Sequence, residues 1–561
     1  MNIFEKEIIN LLKKETKLKK IDLEIPPNRA LGDYAFPCFS LSKKYKKNPV
    51  EIAKEIAKNI KPKAMVKEIK EAGPYVNFFI DKGKMAEKII KEILFKKNKY
   101  GSGSKKKENI MVEFFQANPY KAVHIGHVRN LCLGIALSNI LEFNGFNVVR
   151  SNYQGDIGPH VVKCLWGLLN FKVKAPKEDR LRWLGEIYTK ANKKISGNEK
   201  LEKEIRDMTK RLYEGDKKLV KLWKETRQWC LDDFNKLYDE FNMKFDKLFF
   251  ESKVEPKGKK IVKKMYKDGL AKFSEGAIIM DLEKYNLGIY LLLRSDGVAL
   301  YSTKDISLAK DKFEKYKIDR SIYVVGSEQE FYFKQLFKTL ELMGFKQAKQ
   351  CCHLSYGLVM LPEGKMSSRE GTIVLYDDLR DKLYSSALKG TKERHKDWSK
   401  EEIEKGKENL AFSALKFGMI NRETNKSILF DWDKALDFEG ETGPYIQYAH
   451  ARICSVLRKH GKRLNNKINY GVLESKEEEK LIILLSQFPE KIEEASKNYR
   501  PHIISRYLLD LAQALNEFYH SCPILQADKD VMNARLKLIS AVKQVLANGL
   551  GLLGITAPEK M

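Results

Sequence analysis

The sequence predicts an α/β multidomain chain: a Rossmann-type parallel-sheet domain with a helical insert, between an N-terminal α+β domain and a C-terminal all-α bundle. Three observations carry that prediction. With 561 residues, 43% of them hydrophobic and 11% aromatic, the chain is too long for one core and has material for three or four. Ile110 to Ser151 reads as strand, polar loop, helix, strand, one βαβ unit. Beyond Gly443-Pro444 every strong apolar segment, as far as Met561, repeats with a helical period.

Taken in order, residues 1–105 alternate helix-like stretches with short strands, and the turn Gly73-Pro74 feeds a strand, Tyr75 to Ile80. A Gly-, Ser- and Lys-rich linker, Tyr100 to Glu108, closes this unit off. The parallel-sheet domain is expected over 106–380. Its first helix should run from about His127 to Phe143, stopped by Asn144-Gly145 before a strand at Val148 to Arg150. Residues 159–247 are charged and helix-periodic, anchored by Trp166, Trp183, Trp223 and Trp229, and read as the insert. The sheet then resumes with strands expected at 277–280, 290–293, 321–325 and 354–360, the last preceding Gly364 to Arg369. Helical connection and bundle fill 381–561.

No apolar run is long enough to span a membrane, and the N-terminus lacks the basic start and apolar core of a signal peptide. A cytoplasmic protein is expected. The eight cysteines form no Cys-x-x-Cys pair and read as reduced, buried fillers. A net charge of +29 points to a polyanionic partner.

His124-Ile125-Gly126-His127 stands where the βαβ loop enters its helix, a place where free N–H groups face anions. Gly126 lets a nucleotide approach the backbone, and the two imidazoles can donate to phosphate oxygens that gain charge under attack. The spacing is also that of a metal pair. Zinc, however, would need further ligands, and none is paired nearby.

The segment Asn118-Pro119-Tyr120-Lys121-Ala122-Val123-His124-Ile125-Gly126-His127-Val128-Arg129-Asn130, with Lys365-Met366-Ser367-Ser368-Arg369, resembles the two signatures of class I aminoacyl-tRNA synthetases, specifically the arginyl-tRNA synthetases. Asn152 to Asp156, Leu300 to Asp305, Gly443 to Arg452 and Asn548 to Gly554 extend the likeness over nearly the whole chain. The resemblance implies that ATP, entering with Mg2+ as a substrate complex, and L-arginine form arginyl-adenylate and pyrophosphate. The arginyl group then passes to the terminal ribose of tRNA(Arg). It further implies a monomer without structural metal.

By the same resemblance, Lys121, His124, His127, Lys365, Ser367 and Ser368 are catalytic, and His124, Gly126, His127, Gly326, Met360 and Lys365 bind ATP. Asn118, Glu251, Tyr301, Asp305 and Gln329 would bind arginine, whose guanidinium fork asks for buried carboxylates. Tyr75 and Asn77 in the first domain, and Tyr448, Tyr519 and Met561 in the last, would contact tRNA, the aromatic ones by stacking. Two departures stand out. Ala72 replaces a polar position beside Tyr75, and Ser368 stands where the usual second signature has its second lysine, so Lys121 is expected to supply that charge. Sheet and insert fill the space between His124 and Lys365, which leaves no room for a hydrolytic editing domain. A polar pocket of this kind can reject near-cognates unaided. A small-molecule nucleotidylyltransferase would share His-x-Gly-His but lack the second signature and the bundle. A non-catalytic tRNA-binding paralogue would have lost the histidines or the pocket acids.

Overall fold

The computed structural model describes residues 3–63, 65–294, 297, 299–360, 374–462, 464 and 467–561. The second signature, with Lys365, Ser367 and Ser368, lies outside them. In the N-terminal part, α1 (Ile3–Thr16), α2 (Phe39–Tyr45) and α3 (Pro49–Asn59) accompany an antiparallel sheet of order β1-β3-β2, made by β1 (Tyr34–Pro37), β2 (Val66–Ala72) and β3 (Tyr75–Ile80). Gly73, at φ +59°, turns β2 into β3. The next helix, α4 (Lys82–Lys96), packs instead against the far end of the chain.

β4 (Asn109–Glu113), α5 (Ile125–Phe143) and β5 (Asn147–Gln154) form the expected βαβ unit. Helix α5 starts at Ile125 rather than His127, because His124 acts as its N-cap. The insert consists of α6 (Pro159–Asn170), α7 (Arg180–Ile195), α8 (Glu199–Glu214) and α9 (Lys217–Glu240), after which β6 (Lys247–Phe250) runs into α10 (Glu251–Lys267). The expected strands at 277–280 and 290–293 exist but belong elsewhere. With β7 (Lys272–Ser274), β8 (Ala277–Asp281) and β9 (Ile289–Leu293) make a separate antiparallel sheet. Alternation marks a strand without naming its partner.

Next come α11 (Tyr301–Tyr316), β10 (Arg320–Gly326), α12 (Glu330–Leu342) and β11 (Cys351–Tyr356). The central sheet is parallel throughout, in the order β11-β10-β4-β5-β6. Strand order reverses at β4, and ligands of such sheets sit beyond the carboxyl ends at that switch point. Leu354–Met360 divides between β11 and β12 (Val359–Met360), and β12 pairs with β13 (Ile428–Leu429). The helices α13 (Tyr376–Arg394), α14 (Lys400–Ile420), α15 (Trp432–Ala435), α16 (Gly443–His460), α17 (Lys476–Asn498), α18 (His502–Ser521) and α19 (Lys529–Leu552) complete the chain.

The glycine-rich linker is docked rather than free. Tyr100 stacks on Phe488 of α17 and donates to the Leu485 carbonyl at 2.9 Å, and a Cβ on Gly101 would lie 2.8 Å from Phe488 and Ile492. All eight cysteines are free, but Cys351 and Cys352 in β11 are partly exposed, unlike the six buried ones. Among the described residues no helix is long and apolar enough to cross a membrane.

α5 is buried along most of its length, and it buries a charge. The Arg129 guanidinium meets no acid among the described residues. It donates to the carbonyls of Gly357 (2.5 Å), Leu358 (3.1 Å), Thr424 (3.1 Å) and Lys426 (2.7 Å), which fastens the approach to β12 and β13 onto α5. Burial lowers its pKa to about 10, so it stays cationic at neutral pH. Arg129→Ala strips donors from these buried carbonyls, and a loss of about 3 kcal/mol or more is expected. Thermal unfolding should shift down by several degrees; an unshifted midpoint would contradict the stitch.

Candidate active site

Beyond β4 the chain bends through positive φ at Phe115 (78°), Gln116 (41°) and Tyr120 (66°). Left-handed non-glycine residues cost about 1–3 kcal/mol each and persist only where their surroundings hold them. Here Asn130 Oδ1 accepts from the Phe115 N–H at 2.5 Å and Asn152 Oδ1 from that of Gln116 at 3.1 Å. Tyr120 is sunk into the insert and donates to the Trp223 carbonyl at 3.0 Å, and Gly185 of α7 lies where a Cβ would be 3.1 Å from Ala122 N. The insert therefore grips the loop that carries Lys121. On the other side, Ile125 N–H donates to the Val374 carbonyl (3.1 Å) and Tyr376 N–H to that of Val123 (2.9 Å).

His124 Nδ1 accepts from Gly126 N–H, and His127 Nδ1 accepts from His124 N–H, each at 3.2 Å, with the rings stacked 3.7 Å apart. A Cβ on Gly126 would press on the His124 ring at 3.0 Å. Because both Nδ1 atoms accept, each neutral ring carries its hydrogen on Nε2. Burial, then the nearby Lys121 charge, holds His124 down to about 4. Burial first, then His124 and Lys121, keeps His127 well below its ordinary value. At pH 7 the pair thus offers two neutral N–H donors at a helix start. Lys121 is half-buried, has no acid at ion-pairing distance among the described residues, and lies 5.8 Å from the Tyr188 ring centroid. Burial lowers its pKa.

A second group of charges lies beyond β5 and β6. Asn118 Oδ1 accepts from Gly155 N–H at 2.9 Å, and the space a Cβ on Gly155 would take is bounded by Asn118 Oδ1 at 2.6 Å and Glu251 Oε1 at 3.0 Å. Asp156, fully buried, takes Arg227 (2.7 Å) and both the N–H (2.9 Å) and hydroxyl (2.7 Å) of Ser252, so it fixes the residue next to Glu251. α10 and α11 cross closely, with Gly258 against Thr303. That approach lets Lys304 reach Glu251 at 2.6 Å and Glu255 at 3.5 Å. Glu113 is paired with Lys312 at 2.7 Å.

Asp305 differs: among the described residues no cation pairs with it, and its carboxylate accepts only from the Tyr332 hydroxyl. Burial, with Glu113 and Glu251 nearby, raises its pKa to about 7. It is an acid left over in a pocket whose other acids are matched. Tyr301 opens α11 one turn earlier and is 57% exposed. Gln329 is exposed in the turn after β10, Gly326 ends that strand, and Met360 ends β12.

On the bundle, Tyr448 and Tyr519 are brought together around a residue the sequence reading did not single out. Arg452 lies 4.0 Å from the Tyr519 ring centroid and 5.9 Å from that of Tyr448, and both rings are partly exposed. Met561 is partly buried against the bundle, lining a small cavity with Trp398 and Phe438. In the first sheet Tyr75 packs edge-on to Phe39. Asn77 is 3% exposed in the central strand of that sheet. His160, whose ring nitrogen Nε2 meets the Gly155 carbonyl at 3.0 Å, also borders the site, and no motif marked it.

Three family models match the chain: tRNA synthetases class I (R), catalytic domain, over 89–432; DALR anticodon binding domain over 446–561; and arginyl tRNA synthetase N terminal domain over 2–80. The arginine–tRNA ligase of Bdellovibrio bacteriovorus is 40% identical, the match covering 96% of this chain and 93% of that protein. That of Clostridioides difficile is 36% identical over 100% and 98% of the two chains. Among solved structures, Thermus thermophilus arginyl-tRNA synthetase superposes with a TM-score of 0.83 at 27% identity, covering 100% of this chain and 99% of that one.

The leftover carboxylate gives the site a pH signature. A guanidinium entering the site would pair with ionised Asp305, whose pKa near 7 lies above the ordinary carboxylate range, so that pairing would be lost as pH falls through that value. With free arginine as a guanidinium probe, affinity should be level above pH 7 and weaken about tenfold per unit below it. Calorimetry between pH 5.5 and 8.5 measures this, and a flat profile would separate Asp305 from the ligand.

Proposed function

The chain belongs to the arginyl-tRNA synthetase family, and on that premise we propose how its residues divide the work of an arginine–tRNA ligase. L-arginine's carboxylate attacks the α-phosphorus of ATP, releasing pyrophosphate. A hydroxyl of the terminal ribose of tRNA(Arg) then attacks the resulting carbonyl, releasing AMP. What supports this reading most is the pairing of two neutral imidazole donors at the start of α5 with Asp305, a half-buried acid that no cation pairs among the described residues, beyond the same sheet.

Adenylate formation asks mainly for positioned reactants and stabilised charge. His124 and His127 donate through Nε2 to phosphate oxygens, and the helix start adds its free N–H groups. Gly126 and Gly326 let the nucleotide approach the backbone, and Met360 packs beside it. ATP brings Mg2+ as part of the substrate complex. Asp305 takes the guanidinium fork, Glu251 sets the field beside it, Tyr301 and Gln329 border the side chain, and Asn118 holds the α-amino or carboxylate end. Lys365, Ser367 and Ser368 act on the leaving pyrophosphate.

Residues 1–105 would bind the tRNA elbow through Tyr75, 106–380 carry the chemistry, and 381–561 bind the anticodon. On the last, Arg452 holds Tyr448 and Tyr519 as a stacking platform for splayed bases. Charging of unfractionated tRNA with each amino acid in turn tests the whole reading. Arginine alone should be attached; attachment of another amino acid, or none, would overturn it.

Lys121 replaces the positive charge that Ser368 leaves missing from the second signature. Its half-buried ammonium, free of acids among the described residues, is available to the phosphates beside His124. Lys121→Ala should slow adenylation by roughly ten- to a thousandfold with little change in arginine binding, and lysine at position 368 should restore part of the rate. Wild-type single-turnover adenylation in Lys121→Ala would refute the role.

A further inference from the structure

In the parallel ladders Glu113 stands opposite Ser151, and Tyr153 opposite Phe249. Paired residues share a face and alternate residues return to it, so Glu113, Ser151 and Tyr153 all point to one side of the sheet. α11 covers that side, since its Lys312 pairs with Glu113. Its Lys304 pairs with Glu251, the first residue after β6. Tyr153 is thus the last residue of β5 on that side, at the carboxyl edge among the acids. Its hydroxyl oxygen is buried, yet it has no hydrogen-bond partner among the described residues. Burial, and after it the charges of Asp305, Glu251 and Glu113, keeps the phenol neutral.

A buried hydroxyl without a partner is costly, so its persistence in a polar pocket asks what completes it. Glu251 accepts from Lys304, Glu113 faces Lys312 as an ion pair at 2.7 Å without a hydrogen bond, and Asp305 has Tyr332 alone. A guanidinium brings five N–H donors, of which one carboxylate fork uses two. The remaining donors need acceptors, and a neutral phenol oxygen supplies one without adding charge to a site already rich in acids. We propose that the Tyr153 hydroxyl is a specificity-determining contact for arginine, accepting a guanidinium N–H that Asp305 does not take. The inference rests on the arginine reading above.

The variant Tyr153→Phe removes only the oxygen. In full-length enzyme assayed for aminoacylation with ATP, arginine and tRNA, KM for arginine should rise about tenfold while KM for ATP and tRNA stays unchanged. Its melting temperature should be equal or higher, since the unpaired buried hydroxyl is gone. A purely structural tyrosine would lose stability instead. An unchanged KM for arginine, or a lowered melting temperature with all three KM values raised together, overturns the inference. Asp305→Asn measured alongside separates the two levels: if it too leaves arginine KM unchanged, the arginine reading itself fails, whereas silence of Tyr153→Phe alone removes only this contact.

Discussion

The reciprocal bonds between two imidazoles and the backbone at the start of α5 are the interaction on which the rest of the site depends. Each ring uses Nδ1 to cap a helix N–H, and that one choice decides the tautomer, the stacking of the rings and the direction of both Nε2 hydrogens. Ordinary N-caps are small side chains such as Ser or Asp, which would satisfy the helix but present nothing further. Histidine caps the helix with one nitrogen and leaves the other outside the cap. The strained loop before it and the bonds to Val374 and from Tyr376 exist to hold that helix start in place.

A different economy governs the acids. Burying a carboxylate is tolerable when a cation shares the burial, and Glu113, Glu251 and Glu255 each have one, the last also meeting Lys259 at 2.9 Å. Burial, with Glu113 and Glu251 nearby, raises Asp305 to about 7, and no cation pairs with it among the described residues, so its attraction for a cation is not already spent in an ion pair. Selectivity then follows from what is left unmatched when the wrong side chain enters.

Much of the architecture was legible in the residues. The βαβ unit and the insert follow from apolar periodicity, which is a local property, and α6 to α9 fall inside 159–247 for that reason. Partners are not local, so the strands around Ala277 and Tyr290 were readable while their separate sheet was not. The docking of the glycine-rich linker was not legible because its anchors, Phe488 and Ile492, lie far along the chain. Motifs likewise exposed His124 and His127 but not Arg129, Asn130 or Tyr153, whose roles depend on carbonyls and acids brought in from other elements.

The packing of α4 against α17 and α19 has a consequence for biosynthesis. Ile89, Ile90 and Ile93 of α4 are covered by helices made long after α4, and Asn548 of α19 closes the junction by donating to the carbonyls of Lys97 (3.0 Å) and Tyr100 (3.3 Å). Until α17 and α19 are made, that apolar stripe lacks its native cover. Contacts so distant along the chain form late and leave nascent molecules open to association. A chain lacking α17 and α19 would therefore present an uncovered apolar seam along α4.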